Sequence, residues 1–268
     1  MVIERVRTPA MTLAVVRLFS TDLDGTLLGN PDAVARFSAS WAALSPAQRP
    51  LLVYNTGRTI ADTQALVVAR ELPNPNFIIG SVGTELHCAP PHRVSGFGME
   101  FGQNWHLERV QEIVREFSGI KPQPAAFVHE FKSSWFWIRA RRDHVLELEQ
   151  RLAASGIDAT VVYSCRYFLD IVPRQAGKGR ALAWLCGKLG IPLSQVIVAG
   201  DTANDTAMFI LPEVRGIVVE NALPELLAAT LGPRTYTARQ PTADGVIEGL
   251  AYFGVMNTNP AATPAGAD

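Results

Sequence analysis

Asp22-Leu23-Asp24-Gly25-Thr26 places two carboxylates two residues apart, directly after the apolar run Val15-Val16-Arg17-Leu18-Phe19. The run is expected to form a buried strand, and Gly25 the turn that ends it. Both carboxylates then stand at the C-terminal edge of a sheet, where open α/β folds place their ligands. An Asp there can attack phosphorus and become an aspartyl-phosphate. A second Asp two residues on can protonate the leaving oxygen and then activate water. A capped turn after a strand would carry the same residues, so the rest of the chain must decide.

Three further segments offer matching chemistry. Asn55-Thr56-Gly57-Arg58 follows a second apolar run, Leu51-Leu52-Val53-Tyr54. The Thr56 hydroxyl and the N–H groups that open the next helix suit a phosphoryl oxygen. The plain alternative is a helix cap with a glycine turn. Gly177-Lys178-Gly179 opens a helix. A lysine opposes the macrodipole there, which suggests a task such as holding a phosphoryl group beside Asp22. A solvated lysine is the ordinary alternative. Gly200-Asp201-Thr202-Ala203-Asn204-Asp205 follows the run Val196-Ile197-Val198-Ala199. Asp201 and Asp205 beside Asp22 and Asp24 would form a cluster of hard oxygens suited to Mg2+. Their mutual repulsion itself favours a cation. A helix cap with acidic first-turn residues is the competing reading.

The elements that must position these residues alternate. Strands are expected at 51–54, 77–80, 196–199 and 216–219, and helices at 59–70, 181–189, 224–231 and 244–253. Such alternation predicts a doubly wound parallel sheet. The middle differs. A helix is expected at 105–117, a strand over 131–141, a helix at 143–153 and a hairpin of 160–163 with 167–171. This is taken as an inserted α+β unit of αββαββ pattern, which needs one strand more than the five elements named. Residues 11–85 and 173–254 are assigned to the core, 86–172 to the insert, and 1–10 and 255–268 to flexible ends.

All four motifs together resemble the haloacid dehalogenase superfamily of phosphohydrolases. The resemblance implies that Asp22 attacks phosphorus and Asp24 is the acid/base. It implies that Mg2+ is held by Asp22, the Asp24 backbone carbonyl and Asp201, with Asp205 and Asn204 in support. Thr56 and Lys178 complete the catalytic set. An acidic residue at Asp24 fits phosphatases or mutases. The insert falls where that superfamily carries its C2-type cap.

Within the superfamily the chain is most similar to the sucrose-phosphate phosphatases. The similarity rests on Ser81-Val82-Gly83-Thr84-Glu85, on Leu169-Asp170-Ile171-Val172-Pro173 running into Ala176-Gly177-Lys178-Gly179, and on Ala243-Asp244-Gly245-Val246-Ile247-Glu248-Gly249. It implies a phosphatase acting on sucrose 6-phosphate. Another sugar phosphate (a glucosyl- or mannosyl-glycerate phosphate), a mutase, or a non-catalytic sugar-phosphate module are the alternatives. Gly57, Arg58, Thr84, Glu85, Lys132 and Asn204 are the expected substrate-binding residues, Lys132 leading in the cap. His129, Glu130, Arg139 and Arg166 are further sugar candidates. Trp135, Phe136 and Trp137 are expected to pack a sheet rather than to form a sugar platform.

Composition excludes other classes. The chain has 268 residues, 48% apolar and 18% charged, with net charge −1. That suits a globular protein with a sizeable core. No single-sign field points to nucleic acid or an anionic membrane. No apolar stretch reaches the roughly 18–20 residues of a spanning helix. Cys88, Cys165 and Cys186 are scattered and odd in number, which suits a reducing cytoplasm. The expected partner is a small sugar phosphate, and the expected state a monomer or weak dimer.

Overall fold

A computed structural model describes residues 15–99, 101–102 and 104–256. The expectations for residues 1–14 and 257–268 lie outside these described residues. The larger sheet has seven strands: β1 (Leu18–Thr21), β2 (Leu51–Asn55), β3 (Phe77–Gly80), β4 (Glu85–Cys88), β9 (Val196–Gly200), β10 (Arg215–Val218) and β11 (Thr235–Thr237). Their order is β11-β10-β9-β1-β2-β3-β4. All neighbours pair in parallel except β3 and β4, which are antiparallel. The edge strands β4 (Glu85-Leu86-His87-Cys88) and β11 (Thr235-Tyr236-Thr237) are only partly buried and lack the apolar run by which the inner strands are read.

Helices cover both faces because alternate strand residues point to opposite sides. Phe19 and Tyr54 pack with α1 (Pro31–Ala43) and α8 (Thr242–Tyr252) through Phe37, Trp41 and Leu250. Leu18 and Val53 pack with α5 (Lys178–Leu189) and α6 (Thr206–Phe209) through Leu182, Leu185 and Met208. α2 (Ile60–Val68) and α7 (Pro224–Thr230) complete the layers. α1 begins at Asn30, whose side chain accepts from the N–H groups of Asp32 and Ala33, with proline at the first helical position. That combination favours a helix start. Packing continues past α8: Met256, placed by the sequence reading in a flexible end, is buried in the same cluster as Phe253.

The cap inserts between β4 and α5. Its order is α3 (Leu107–Arg115), β5 (Ile120–Pro122), β6 (Ser133–Trp137), α4 (Arg142–Ala154), β7 (Ala159–Ser164) and β8 (Phe168–Pro173). The strands form an antiparallel sheet ordered β5-β6-β8-β7. Trp135, Trp137, Leu169 and Ile171 face α3 and α4 and pack on Val110, Ile113, Leu148 and Leu152. The long strand expected over 131–141 is shorter. Lys132 forms a bridge with His129, and Arg139 takes a left-handed backbone with φ of 53°, so pairing stops between them. Among the described residues no helix is long and apolar enough to cross a membrane.

Candidate active site

The central strands β9, β1 and β2 lie side by side, so the loops after them meet at one edge. Asp22 follows β1, Thr56 follows β2 and Asp201 follows β9. Lys178 opens a helix, as expected. The strand before it, β8, belongs to the cap sheet, and Lys178 reaches the site as the first residue of α5. Asn55 ties that helix to β2, its Nδ2 donating to the Lys178 carbonyl at 3.0 Å.

Lys178 Nζ donates to Asp22 Oδ1 at 2.7 Å and to Asp205 Oδ1 at 2.6 Å. It also lies 3.4 Å from Asn204 Oδ1. Its side chain is 0% exposed. Carboxylate oxygens of Asp22, Asp201 and Asp205, all buried, lie within 4.8 Å of one another. Asp201 accepts from the Thr26 hydroxyl at 3.1 Å. Asp205 Oδ2 accepts from the N–H groups of Asp201 at 3.1 Å and Thr202 at 3.2 Å, inside a capping box with Thr202. Glycine is required at Gly25, where φ is +81° and a Cβ would overlap the Asp201 carboxylate.

Burial pushes the Asp22 carboxyl well above the usual carboxylate range, against the pull of Lys178. Burial and the neighbouring Asp205 push Asp201 up to about 6. Burial opposes the charge on Lys178, but Asp205 and Asp22 outweigh it and raise the ammonium. One ammonium thus faces three buried carboxylates. Such a donor set fits a hard divalent cation, because hard cations prefer oxygen ligands.

The Asp24 carboxylate stands apart from this cluster. It is 56% exposed, and Arg58 grips it with Nε at 2.7 Å and Nη2 at 2.6 Å. Thr56 is fully buried, and its hydroxyl oxygen accepts from the Arg58 N–H at 3.1 Å. The Gly57 carbonyl accepts from Lys132 Nζ at 3.2 Å. That contact joins cap to core. Lys132 is 3% exposed and lies 3.5 Å from Asp170 Oδ1, which also accepts from Ser134 at 2.6 Å.

A second junction sits where chain leaves the core. The Thr84 hydroxyl donates to the Ser81 carbonyl at 2.7 Å and lies 2.9 Å from His129 Nε2. His129 Nδ1 accepts from the Phe131 N–H at 3.3 Å. These bonds fit a neutral imidazole with its proton on Nε2. Ser81 donates to Glu85, which lies 3.9 Å from His129. Burial lowers the His129 pKa despite Glu85.

The structure therefore gathers Asp22, Lys178, Asp201, Asp205, Asn204 and Thr56 on one edge. Gly57, Lys132, Thr84 and Glu85 line the cap–core junctions, and Arg58 is bonded to Asp24 within the core. Glu130, Arg139 and Arg166 are exposed, Arg139 and Arg166 pairing through their backbones at 2.8 Å. Sequence reasoning passed over Thr26 and Asn221. Thr26 lay inside the Asp22–Thr26 motif, whereas Asn221, donating to the Gly25 carbonyl at 2.8 Å, left no local signal.

The profile of sucrose-6F-phosphate phosphohydrolases matches residues 15–254. The chain is 44% identical over 242 residues to mannosylfructose-phosphate phosphatase of Agrobacterium fabrum, covering 90% of this chain and 98% of that protein. It is 31% identical to the probable sucrose-phosphatase 2 of Arabidopsis thaliana, covering 93% of this chain but only 61% of that longer protein. The solved sucrose-phosphatase of Synechocystis sp. PCC6803, in complex with sucrose and phosphate, superposes with a TM-score of 0.81 at 27% identity, covering 89% of this chain and 98% of that one.

Proposed function

Because the chain belongs to the sucrose-6F-phosphate phosphohydrolase family of haloacid dehalogenase phosphatases, we propose that it hydrolyses the phosphate monoester of a fructose-containing disaccharide. At the coarser level it is a phosphoric monoester hydrolase acting on sugar phosphates. The observation that carries the proposal is the buried Asp22–Lys178–Asp205 arrangement beside Asp201.

In this reading an Asp22 carboxylate oxygen attacks phosphorus, and the bond between phosphorus and the sugar oxygen breaks. Asp24 gives its proton to that oxygen, and the free sugar leaves. Asp24 then takes a proton from water, whose oxygen attacks the aspartyl-phosphate and restores Asp22. Lys178 orients Asp22 and offsets phosphoryl charge, and Thr56 donates its hydroxyl to a phosphoryl oxygen. Phosphoryl transfer gains chiefly from such positioning and charge neutralisation. Arg58 donates to both Asp24 oxygens, so Asp24 has to part from Arg58 and carry a proton before it can give one to the leaving oxygen.

Mg2+ would be held by Asp22, Asp201 and the Asp24 carbonyl, with Asp205 and Asn204 in support. When bound it supplies positive charge against the phosphoryl oxygens. The cap, taken as residues 86–172, closes on the core through Lys132 and His129, and Lys132, Thr84 and Glu85 turn to the sugar. The three free thiols support a cytoplasmic protein, taken here as a monomer or weak dimer.

The family profile and the solved relative support sucrose 6-phosphate. The higher identity to the Agrobacterium enzyme supports mannosylfructose phosphate as a second substrate. Phosphate release with Mg2+ is to be measured on both, beside glucosylglycerate phosphate and hexose phosphates. The highest kcat/KM is expected on one of the two fructose-containing disaccharides. A higher value on any of the others, or interconversion of phosphate positions without release, would overturn the reading.

A further inference from the structure

The cap sheet has one face covered by α3 and α4 and one face turned to the core. The core-facing side is identified by Lys132, which reaches the Gly57 carbonyl. Ser134 and Asp170 are bonded on the same side. Beyond Lys132 and Ser134, alternation puts Phe136 on this face, and Phe168 is its partner across β6 and β8. The rings of Phe136 and Phe168 are 6.0 Å apart, and Tyr167 lies 4.9 Å from the first and 5.0 Å from the second. Trp135 and Trp137, one residue to either side, are 3% and 5% exposed on the opposite face. Phe168 is 40% exposed and Tyr167 37%. The tryptophans pack the helix-covered face as expected, and Phe136 packs on Phe168 and Tyr167 on the other.

The same end of the cap borders the catalytic edge. Tyr163, Ser164 and Cys165 face Ala203 and Pro224 across a cleft of about 740 Å3. Ala203 begins the turn that carries Asn204 and Asp205. The core-facing surface thus runs from a polar end over the Thr56–Arg58 turn to an aromatic end. Lys132 and Phe136 are four strand residues apart, roughly 13 Å at the usual rise. That matches two linked sugar rings and exceeds one.

We propose that Phe136, Tyr167 and Phe168 form the platform for the second, unphosphorylated ring of a disaccharide phosphate, with the phosphorylated ring held at the Lys132 end. This rests on the reading above that the substrate is a two-ring sugar phosphate. The C–H faces of a sugar ring are apolar and lie well on aromatic rings. The platform selects for the second ring and takes no part in the phosphoryl chemistry.

The test compares Phe168→Ala and Tyr167→Ala with the parent protein on sucrose 6-phosphate, mannosylfructose phosphate and fructose 6-phosphate. The ratio of kcat/KM for the preferred disaccharide phosphate over fructose 6-phosphate is expected to fall about tenfold, through KM rather than kcat. Phe168→Trp should restore it. An unchanged ratio, or equal loss on every substrate, overturns the platform. A parent dimer that dissociates in Phe168→Ala, seen by sedimentation, would assign the aromatics to a second copy instead and also overturn it. Titration with free sucrose and free mannosylfructose reads the platform without catalysis. Saturable binding lost in Phe168→Ala supports it, and absent or unaltered binding refutes it. If the parent protein cleaves fructose 6-phosphate as well as the disaccharide phosphates, the two-ring reading fails, and the titration still decides the platform.

Discussion

The catalytic edge and the cap surface above it solve opposite problems. At the edge, charge is concentrated and buried. Asp22, Asp205 and Lys178 are bonded to one another with little exposure to water. A removed partner there leaves an uncompensated charge, the costliest kind of defect. On the cap surface, one buried ammonium reaches across to a core carbonyl, and the rest is a half-exposed aromatic and polar sheet face. Substitutions there should alter what binds more than whether the protein folds or reacts.

The largest break in this contrast is Asp22→Asn. It should lower phosphate release by roughly 10^4-fold or more, as loss of a nucleophile does, and substantial turnover would remove Asp22 from that role. Lys178→Met comes next. It leaves three buried carboxylates facing one another and should cost about 3–5 kcal/mol of stability in EDTA. Added Mg2+ should return part of this in a thermal unfolding scan, and a melting temperature indifferent to Mg2+ would argue against a cation among Asp22, Asp201 and Asp205. EDTA should also silence the parent enzyme.

Lys132→Met probes the cap side. It should reduce kcat/KM on sugar phosphates on the order of tenfold, the scale of one charged hydrogen bond, with less loss on p-nitrophenyl phosphate. Equal loss on both would make Lys132 part of the phosphate site. The smallest effect belongs to His129. Its pKa is lowered by burial, so the unfolded chain takes up a proton near pH 6.5 before the folded one does. Its stabilisation is therefore present above that pH and lost as pH falls through the lowered value. His129→Gln should flatten stability measured between pH 7 and 5.

Much of the edge was legible because its signals are local. A buried run, a turn glycine and a carboxylate pair lie within a dozen residues at β1, and the end of β9 repeats that plan. α1 carried a readable Asn30-Pro31 start that the alternation of strands overshadowed. The edge strands β4 and β11 are partly buried and carry no apolar run to announce them. The β6 aromatics are a different case. Residues 135–137 share one composition, and only the sheet's two faces separate Phe136 from the tryptophans beside it.

The amino-acid order by itself singled out the residues to which the proposed chemistry is assigned, the Asp22/Asp24 pair, Thr56, Lys178 and Asp201 with Asp205, and showed that a separate α+β unit interrupts them. It could do so because those roles depend on residue type and on short-range turns and caps. Only the tertiary structure decided that Lys178 bonds Asp22, that Arg58 holds Asp24, and that Lys132 touches the Gly57 carbonyl. Those contacts join residues 34 to 156 positions apart. They exist only once two sheets are packed and one face of the cap is committed to α3 and α4, leaving the other turned to the core.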